Sequence, residues 1–322
     1  MKKILVLFGG NSHEHNISCI SAKTILENID KSIFNVTAVG IINHNWYIFN
    51  DDLSLLKDNN WHKGNIKKID NIIEFLKIFD KVFPIIHGND GETGALSWLF
   101  NLFNIPYVSS NILGHAISYD KEITKIICNN YNIPQIPYIT IHNNKKIKNI
   151  NIDFPVIIKP SSCGSSLGIN IASNIKELNK HIKTAFKYDN KIIIEKYIKA
   201  KELECAILEK NNKIKISTVG EIKSKNNIYD YESKYILDSN LIIPANINKN
   251  IIKEIQEYSQ KIFKILSLKD LSRIDFLYDI ENNKLYFNEV NTIPGFTQIS
   301  MYPKLFNQEG ITIKNLITKL LS

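Results

Sequence analysis

Four residues near the end of the chain have types and spacing that could handle an oxyanion and a metal ion. Arg273 is the single arginine among 40 lysine and arginine side chains. It sits in Ser272-Arg273-Ile274-Asp275-Phe276, and Phe287-Asn288-Glu289-Val290-Asn291 follows shortly after. A guanidinium is planar, always charged, and offers a rigid fork of donors to a phosphate or oxyanion. One arginine in a lysine-rich chain therefore marks a place where lysine will not serve, or is a chance survivor on the surface. Its neighbours decide. Asp275, Glu289 and Asn291 are all-oxygen ligands of the kind hard divalent cations take. On paired strands Glu289 and Asn291, two apart, face one side, and a hairpin in the expected register brings Asp275 there too. Polar residues on a solvated sheet face are the plain alternative. Against it, Glu289 lies between Phe287 and Val290, where an unpaired carboxylate is costly.

Two further segments offer phosphate and nucleotide contacts. Lys159-Pro160-Ser161-Ser162-Cys163-Gly164-Ser165-Ser166-Leu167-Gly168 follows an apolar strand. Small residues there let backbone amides approach a phosphate, and Lys159 adds a point charge. The GxxxxGK[ST] order of a Walker loop is absent, and no GxGxxG follows the first strand. Alone, such a loop is a weak signal. Glu195-Lys196-Tyr197-Ile198, with Glu202 beyond, closes another strand, where backbone can pair with an adenine edge and an acid with ribose hydroxyls.

These residues need a scaffold, and the chain's periodicity supplies one. Strands at Ile4–Phe8, Val36–Ile42, Lys81–Ile86 and Pro106–Val108 alternate with helices at Ser18–Ile29 and Gly94–Phe103. That alternation predicts an α/β fold with a parallel, doubly wound sheet and ligands beyond the strands' carboxyl ends. The polar clusters Asn11–His15 and His87–Glu92 follow such ends. Asp120–Asn130 reads as a helix, 143–151 as a loop, and Ile175–Phe186 as a helix between the strands Val156–Lys159 and Ile192–Glu195. Leu203–Leu208 and Lys213–Val219 look antiparallel. Lys223–Lys234 has no period and reads as a mobile loop. A helix over Ile251–Leu266, a hairpin of Arg273–Tyr278 with Leu285–Val290, and a helix over Ile313–Leu321 complete the chain.

Composition excludes several classes. Isoleucine, asparagine and lysine are over-used along the whole length, so the net charge of +8 is dispersed. A nucleic-acid binder gathers basic residues on one stripe with aromatics between; none is expected here. Four distant cysteines form no zinc pattern and fit a reducing compartment. The first apolar run is five residues long and meets Gly9-Gly10, which is a strand, not a signal peptide. No apolar stretch approaches the roughly 18 residues a membrane span needs. A soluble, cytoplasmic protein is expected.

Taken together, these elements resemble the ATP-grasp superfamily and, within it, the D-alanine–D-alanine ligases. The motifs that carry the resemblance run nearly end to end. They are His87-Gly88-x-x-Gly91-Glu92-x-Gly94, the Lys159–Gly168 loop, Tyr229–Tyr235, Arg273-Ile274-Asp275, and Asn288–Gly295. The resemblance implies an N-terminal substrate-binding domain over 1–112, a central lobe over 113–194, and a C-terminal lobe over 195–322 with a lid at 223–235. It implies that Lys121, Lys159, Glu195, Lys196, Ile198 and Glu202 hold ATP. Asp275, Glu289 and Asn291 would hold two magnesium ions, with manganese as a substitute.

By the same resemblance Glu14 binds the ammonium of a first D-alanine and is linked to Ser165 and Tyr235, with His87 beside that substrate. Lys234 and Ser300 take the second carboxylate, while Arg273 and the Gly295 amide stabilise the oxyanion. The implied reaction passes through an acyl phosphate to a dipeptide used in peptidoglycan, in a homodimer. A D-alanyl–D-lactate ligase and an inactive nucleotide-binding subunit are the alternatives. The first is disfavoured by Tyr231–Tyr235, and the second by the full set of ligands and the arginine. Thr93 and Ser162-Cys163 depart from the family pattern, the former replacing an acid and the latter a charged pair.

Overall fold

The computed structural model describes residues 1–143, 153–223 and 240–322. Strand β1 (Lys2–Gly9) is the centre of the first sheet. Ile4 to Phe8 are all fully buried, because both faces of a parallel strand are covered. It pairs in parallel with β2 (Phe34–Ile42) and β5 (Lys81–Pro84). Helix α1 (His15–Asn28) follows β1 and buries Ile17, Ala22 and Ile25 against it. Between them Gly9 holds φ +89°, and a Cβ there would meet the Ile41 carbonyl at 2.4 Å. Only glycine fits that turn.

Two strands missing from the sequence reading extend this sheet. β3 (Asn45–Phe49) and β4 (Ile66–Lys68) add antiparallel, giving the order β4-β3-β2-β1-β5. The sheet is thus parallel only across β2, β1 and β5. Asn43 and His44 explain the difference, since both have positive φ (49° and 61°). Two left-handed residues in a two-residue connection make the tight hairpin turn that matches strand twist. The expected strand at Pro106–Val108 is a single bridge from Tyr107 to Val82.

Helices α2 (Ala95–Leu102), α3 (Ile112–Tyr119) and α4 (Lys121–Asn130) lead to the second sheet. The Asp120 side chain accepts from the Glu122 and Ile123 amides and so starts α4. The second sheet contains β6 (Tyr138–His142), β7 (Val156–Pro160), β8 (Asn170–Ala172) and β9 (Lys191–Lys196). Its order is β6-β9-β7-β8, all antiparallel, and α5 (Ile175–Ala185) packs on β7 and β8.

The third sheet is antiparallel in the order β12-β11-β10-β13-β14. Its strands are β10 (Lys201–Lys210), β11 (Lys213–Lys223), β12 (Asn240–Ile242), β13 (Leu271–Asp279) and β14 (Lys284–Asn291). The alternation of β10 divides it between two cores. Leu203, Cys205 and Ile207 pack with Ile255 and Phe263 of α6 (Lys249–Ile265). Ala206 and Leu208 pack with α7 (Met301–Gln308), α8 (Ile313–Leu321) and the first domain. The two antiparallel sheets agree with the two-lobed arrangement expected. Lys234 and Tyr235 of the expected lid, with the rest of 224–239, lie outside the described residues, as does 144–152.

Candidate functional site

Strands β13 and β14 carry the centre of the site, and their register sets its geometry. Asp275 pairs directly with Glu289 and Arg273 with Asn291, so all four side chains leave one face, as the hairpin reading required. On the other side of β13, Asp275 pairs with Glu204 of β10. The Arg273 guanidinium donates from Nε to Asp275 Oδ1 at 2.8 Å and from Nη2 to Oδ2 at 2.7 Å. Its Nε also lies 2.9 Å from Glu204 Oε2. Asn291 Nδ2 donates to Asp275 Oδ2 at 2.9 Å.

Two clefts meet over this strip, sharing Glu204 and Glu289 as walls. The larger, about 390 Å³, lies between the second and third sheets. Lys159, Glu195, Lys196 and Ile198 line it opposite Asp275 and Glu289, and Glu202 lines it from the same sheet as those two acids. Glu195 is 1% exposed, yet both its oxygens are engaged: Lys159 Nζ is 2.7 Å from Oε2 and Lys125 Nζ 2.6 Å from Oε1. Burial opposes every charge in this triad. The paired lysines nevertheless hold the Glu195 carboxyl down at about 2. For Lys159, burial is likewise outweighed by Glu195, and its pKa stands above the usual lysine value. Lys159 also donates to Asn288 Oδ1 at 3.1 Å. Glu195 thus fixes Lys159 rather than presenting a bare carboxylate.

The second cleft lies between the first domain and the third sheet. Glu14, Ser165, Gly295, Ser300 and Lys121 all line it. Ser165 Oγ donates to Glu14 Oε1, so the serine loop closes onto the buried acid of the first domain. A Cβ on Gly164 would stand 2.9 Å from Glu14 Oε2, which explains a glycine beside that serine. The loop is anchored at both flanks. Asp189 Oδ2 accepts from the Ser162 amide at 2.6 Å, and Lys121 Nζ donates to the Cys163 carbonyl at 2.8 Å. Lys121 also reaches Glu289 Oε2 at 3.6 Å. It therefore stands at the junction of the clefts, not inside the larger one.

His87 lines neither cleft. Its Nδ1 meets the Ile293 carbonyl at 2.9 Å, and a carbonyl only accepts, so Nδ1 carries the proton. Burial pushes the ring's pKa down, leaving it neutral. Glu92 ties the same two loops together, accepting from the Gly88 amide at 2.9 Å. Burial, with Glu14 close by, pushes its carboxyl up to about 8.

The oxygens of Asp275, Glu289 and Asn291 suit a hard divalent cation. Among the described residues, Asp275 Oδ2 accepts from both Arg273 and Asn291, whereas Oδ1 accepts from Arg273 alone and keeps a second lone pair for a metal. Sequence reasoning assigned no role to Glu204 and Lys125. Both had a signal: Glu204 is two residues from Glu202 on a strand, and Lys125 is four from Lys121 on a helix, hence on shared faces. Glu92 was visible only as part of a motif.

Comparison with known proteins decides the family. A model described as "D-ala D-ala ligase N-terminus" matches residues 3–110, and one described as "D-ala D-ala ligase C-terminus" matches 127–322. The chain belongs to the D-alanine–D-alanine ligase family. Among its relatives in the family, the D-alanine–D-alanine ligase of Caldicellulosiruptor bescii is 41% identical, with 99% of this chain and 94% of that one covered. The VanG D-Ala:D-Ser ligase of Enterococcus faecalis has a similar structure: TM-score 0.87, 32% identity, covering 99% of this chain and 98% of that one. The D-alanine–D-alanine ligase of Coxiella burnetii superposes with TM-score 0.84 at 29% identity, covering 100% and 94%. Among the described residues of this family member, no helix is long and apolar enough to cross a membrane.

Proposed function

We propose that the protein joins two D-alanines at the expense of ATP, through a D-alanyl phosphate, to supply a peptidoglycan precursor. The observation that carries this reading is the pair of clefts meeting at Glu204 and Glu289, with Arg273 and Asp275 between them. One cleft has the lysines and backbone for a nucleotide. The other has an acid for an ammonium and cations for carboxylates. In this reading a phosphoryl group passes between them at that junction.

In this reading ATP lies in the larger cleft against Lys196, Ile198 and Glu202, with Lys159 held by Glu195 and Lys121 at the phosphate end. Asp275, Glu289 and Asn291 would hold two magnesium ions, with manganese as a substitute. Bound there, the metal supplies charge neutralisation for the phosphate oxygens. Glu14, fixed by Ser165, receives the ammonium of the first D-alanine, whose carboxylate oxygen attacks the γ-phosphorus as ADP departs. His87 braces the loop beside that substrate. The second D-alanine, its carboxylate at Ser300 and Lys234, attacks the acyl carbon with its amine, and inorganic phosphate leaves. Arg273 and the Gly295 amide stabilise the tetrahedral oxyanion, a role worth roughly 3 kcal/mol per donor. Tyr235 and its neighbours over 223–235 close the site, since an acyl phosphate must be kept from water.

Further parts of the reading are a cytoplasmic homodimer and three domains over 1–112, 113–194 and 195–322. The test is phosphate release from ATP with D-alanine, L-alanine, D-serine and D-lactate in parallel, with the condensed product measured directly. Dipeptide from D-alanine supports the assignment. Product only with D-serine or D-lactate as second substrate would redirect it, and ATP turnover with no product would sink it.

A further inference from the structure

Among the described residues that line the second cleft, most of the cations are already paired with acids. Glu14, Glu204 and Glu289 line it as carboxylates, with Glu92 kept protonated near neutral pH by burial, beside three cations, Lys121, Arg273 and Lys304. Lys121 is engaged by Glu289 and the Cys163 carbonyl. Arg273 is engaged by Asp275 and Glu204. An incoming amino acid brings a carboxylate as well as an ammonium, and that carboxylate needs a cation not already paired with an acid. Among the described lining residues, Lys304 is the cation left over. It is half-buried on the cleft wall and has no hydrogen-bond or ion-pair partner among the described residues.

Its place in the fold fits a specific part of the substrate. Ser300 is the residue before α7, and Lys304 lies four positions on, one helical turn along the same face. The Ser300 hydroxyl is next to Gly295, since a Cβ on that glycine would fall 2.8 Å from it. Gly295, Ser300 and Lys304 therefore run in sequence away from the reacting carbon. The ammonium end of the first amino acid belongs at the opposite side, with Glu14.

We propose that Lys304 is a substrate-binding residue that receives the carboxylate of the amino acid whose amine attacks. This rests on the two-substrate reading given above. Lys304 makes a charge-assisted contact with the acceptor carboxylate beside the Ser300 hydroxyl. That contact holds the acceptor by its carboxylate and points its amine toward Gly295 and Arg273. An acceptor without a carboxylate gains nothing from it.

The experiment compares wild type, Lys304→Met and Lys304→Arg, with saturating ATP and D-alanine as donor. The acceptor is either D-alanine or D-alaninamide, which keeps the amine and lacks the carboxylate. The expected result is an acceptor KM for D-alanine raised about ten- to hundredfold in Lys304→Met. The donor KM stays unchanged, Lys304→Arg recovers most of the loss, and wild type and Lys304→Met use D-alaninamide equally. An unchanged acceptor KM in Lys304→Met overturns the proposal. So does an equal loss with D-alaninamide, or no recovery in Lys304→Arg, because either marks a structural role. If wild type makes no product from D-alanine, the reading of the reaction itself falls, a failure distinguishable from that of Lys304 alone.

Discussion

Arg273 and Asp275 leave the same face of β13, two residues apart, and the guanidinium grips both oxygens of the carboxylate at 2.8 and 2.7 Å. A candidate oxyanion donor is thereby fixed to a candidate metal ligand. The grip also orients the fork, because a bidentate pair fixes the plane of the guanidinium. With Glu204 on its other side, Arg273 is held by two acids and kept from wandering in the cleft.

Arg273→Lys is therefore expected to keep the fold and nucleotide binding but lower dipeptide formation about 10²- to 10³-fold. A lysine offers one ammonium where three directed contacts are needed. Steady-state kinetics alongside a nucleotide-binding isotherm would check this. Near-normal turnover would remove Arg273 from the chemistry.

Glu289→Gln should raise the magnesium concentration needed for half-maximal activity about tenfold or more. Glu289 faces Asp275 in register and has Lys121 at 3.6 Å. Losing its charge weakens a divalent ligand and frees Lys121 together. A metal titration identical to wild type would argue against the site.

Gly164→Ala should raise the KM of the first amino acid while leaving that of ATP within about twofold. The added methyl would stand 2.9 Å from Glu14 Oε2, and Glu14 cannot retreat freely because Ser165 holds its other oxygen. Equal changes in both constants would show that the loop had simply collapsed.

Glu195→Gln should destabilise the protein by about 3–5 kcal/mol, since it leaves Lys125 and Lys159 buried without their counter-charge. The pH dependence has a definite sign. The Glu195 carboxyl falls from 4.5 to about 2 on folding. Its stabilisation is complete above the unfolded value and is lost as pH drops toward the folded one. Unfolding curves between about pH 5 and about pH 3 should therefore be steeper in pH for wild type than for Glu195→Gln. Parallel curves would show that the triad does not carry that linkage.

Much of this was legible from sequence, for identifiable reasons. β1 announced itself because Ile4–Phe8 is an unbroken apolar run, the mark of a strand buried on both faces. The shared face of Asp275, Glu289 and Asn291 followed from the two-residue period of strands. That period is local and needs no tertiary knowledge. Motif order then made the family readable before any coordinates.

The tertiary structure decided what no local period encodes. β3 and β4 joined the first sheet antiparallel because Asn43 and His44 both accept a left-handed backbone, a choice their residue types permit but do not dictate. Ser165 meets Glu14 across 151 positions, and Lys125 meets Glu195 across 70, because the sheets and α4 stack there. Charge complementarity of that kind depends on which side chains burial has left facing each other. Sequence by itself thus determined most of the elements, the face shared by the reactive residues of β13 and β14, and the family. Only the packed structure determined which acid holds which base, and that Lys304 has no acid to hold among the described residues.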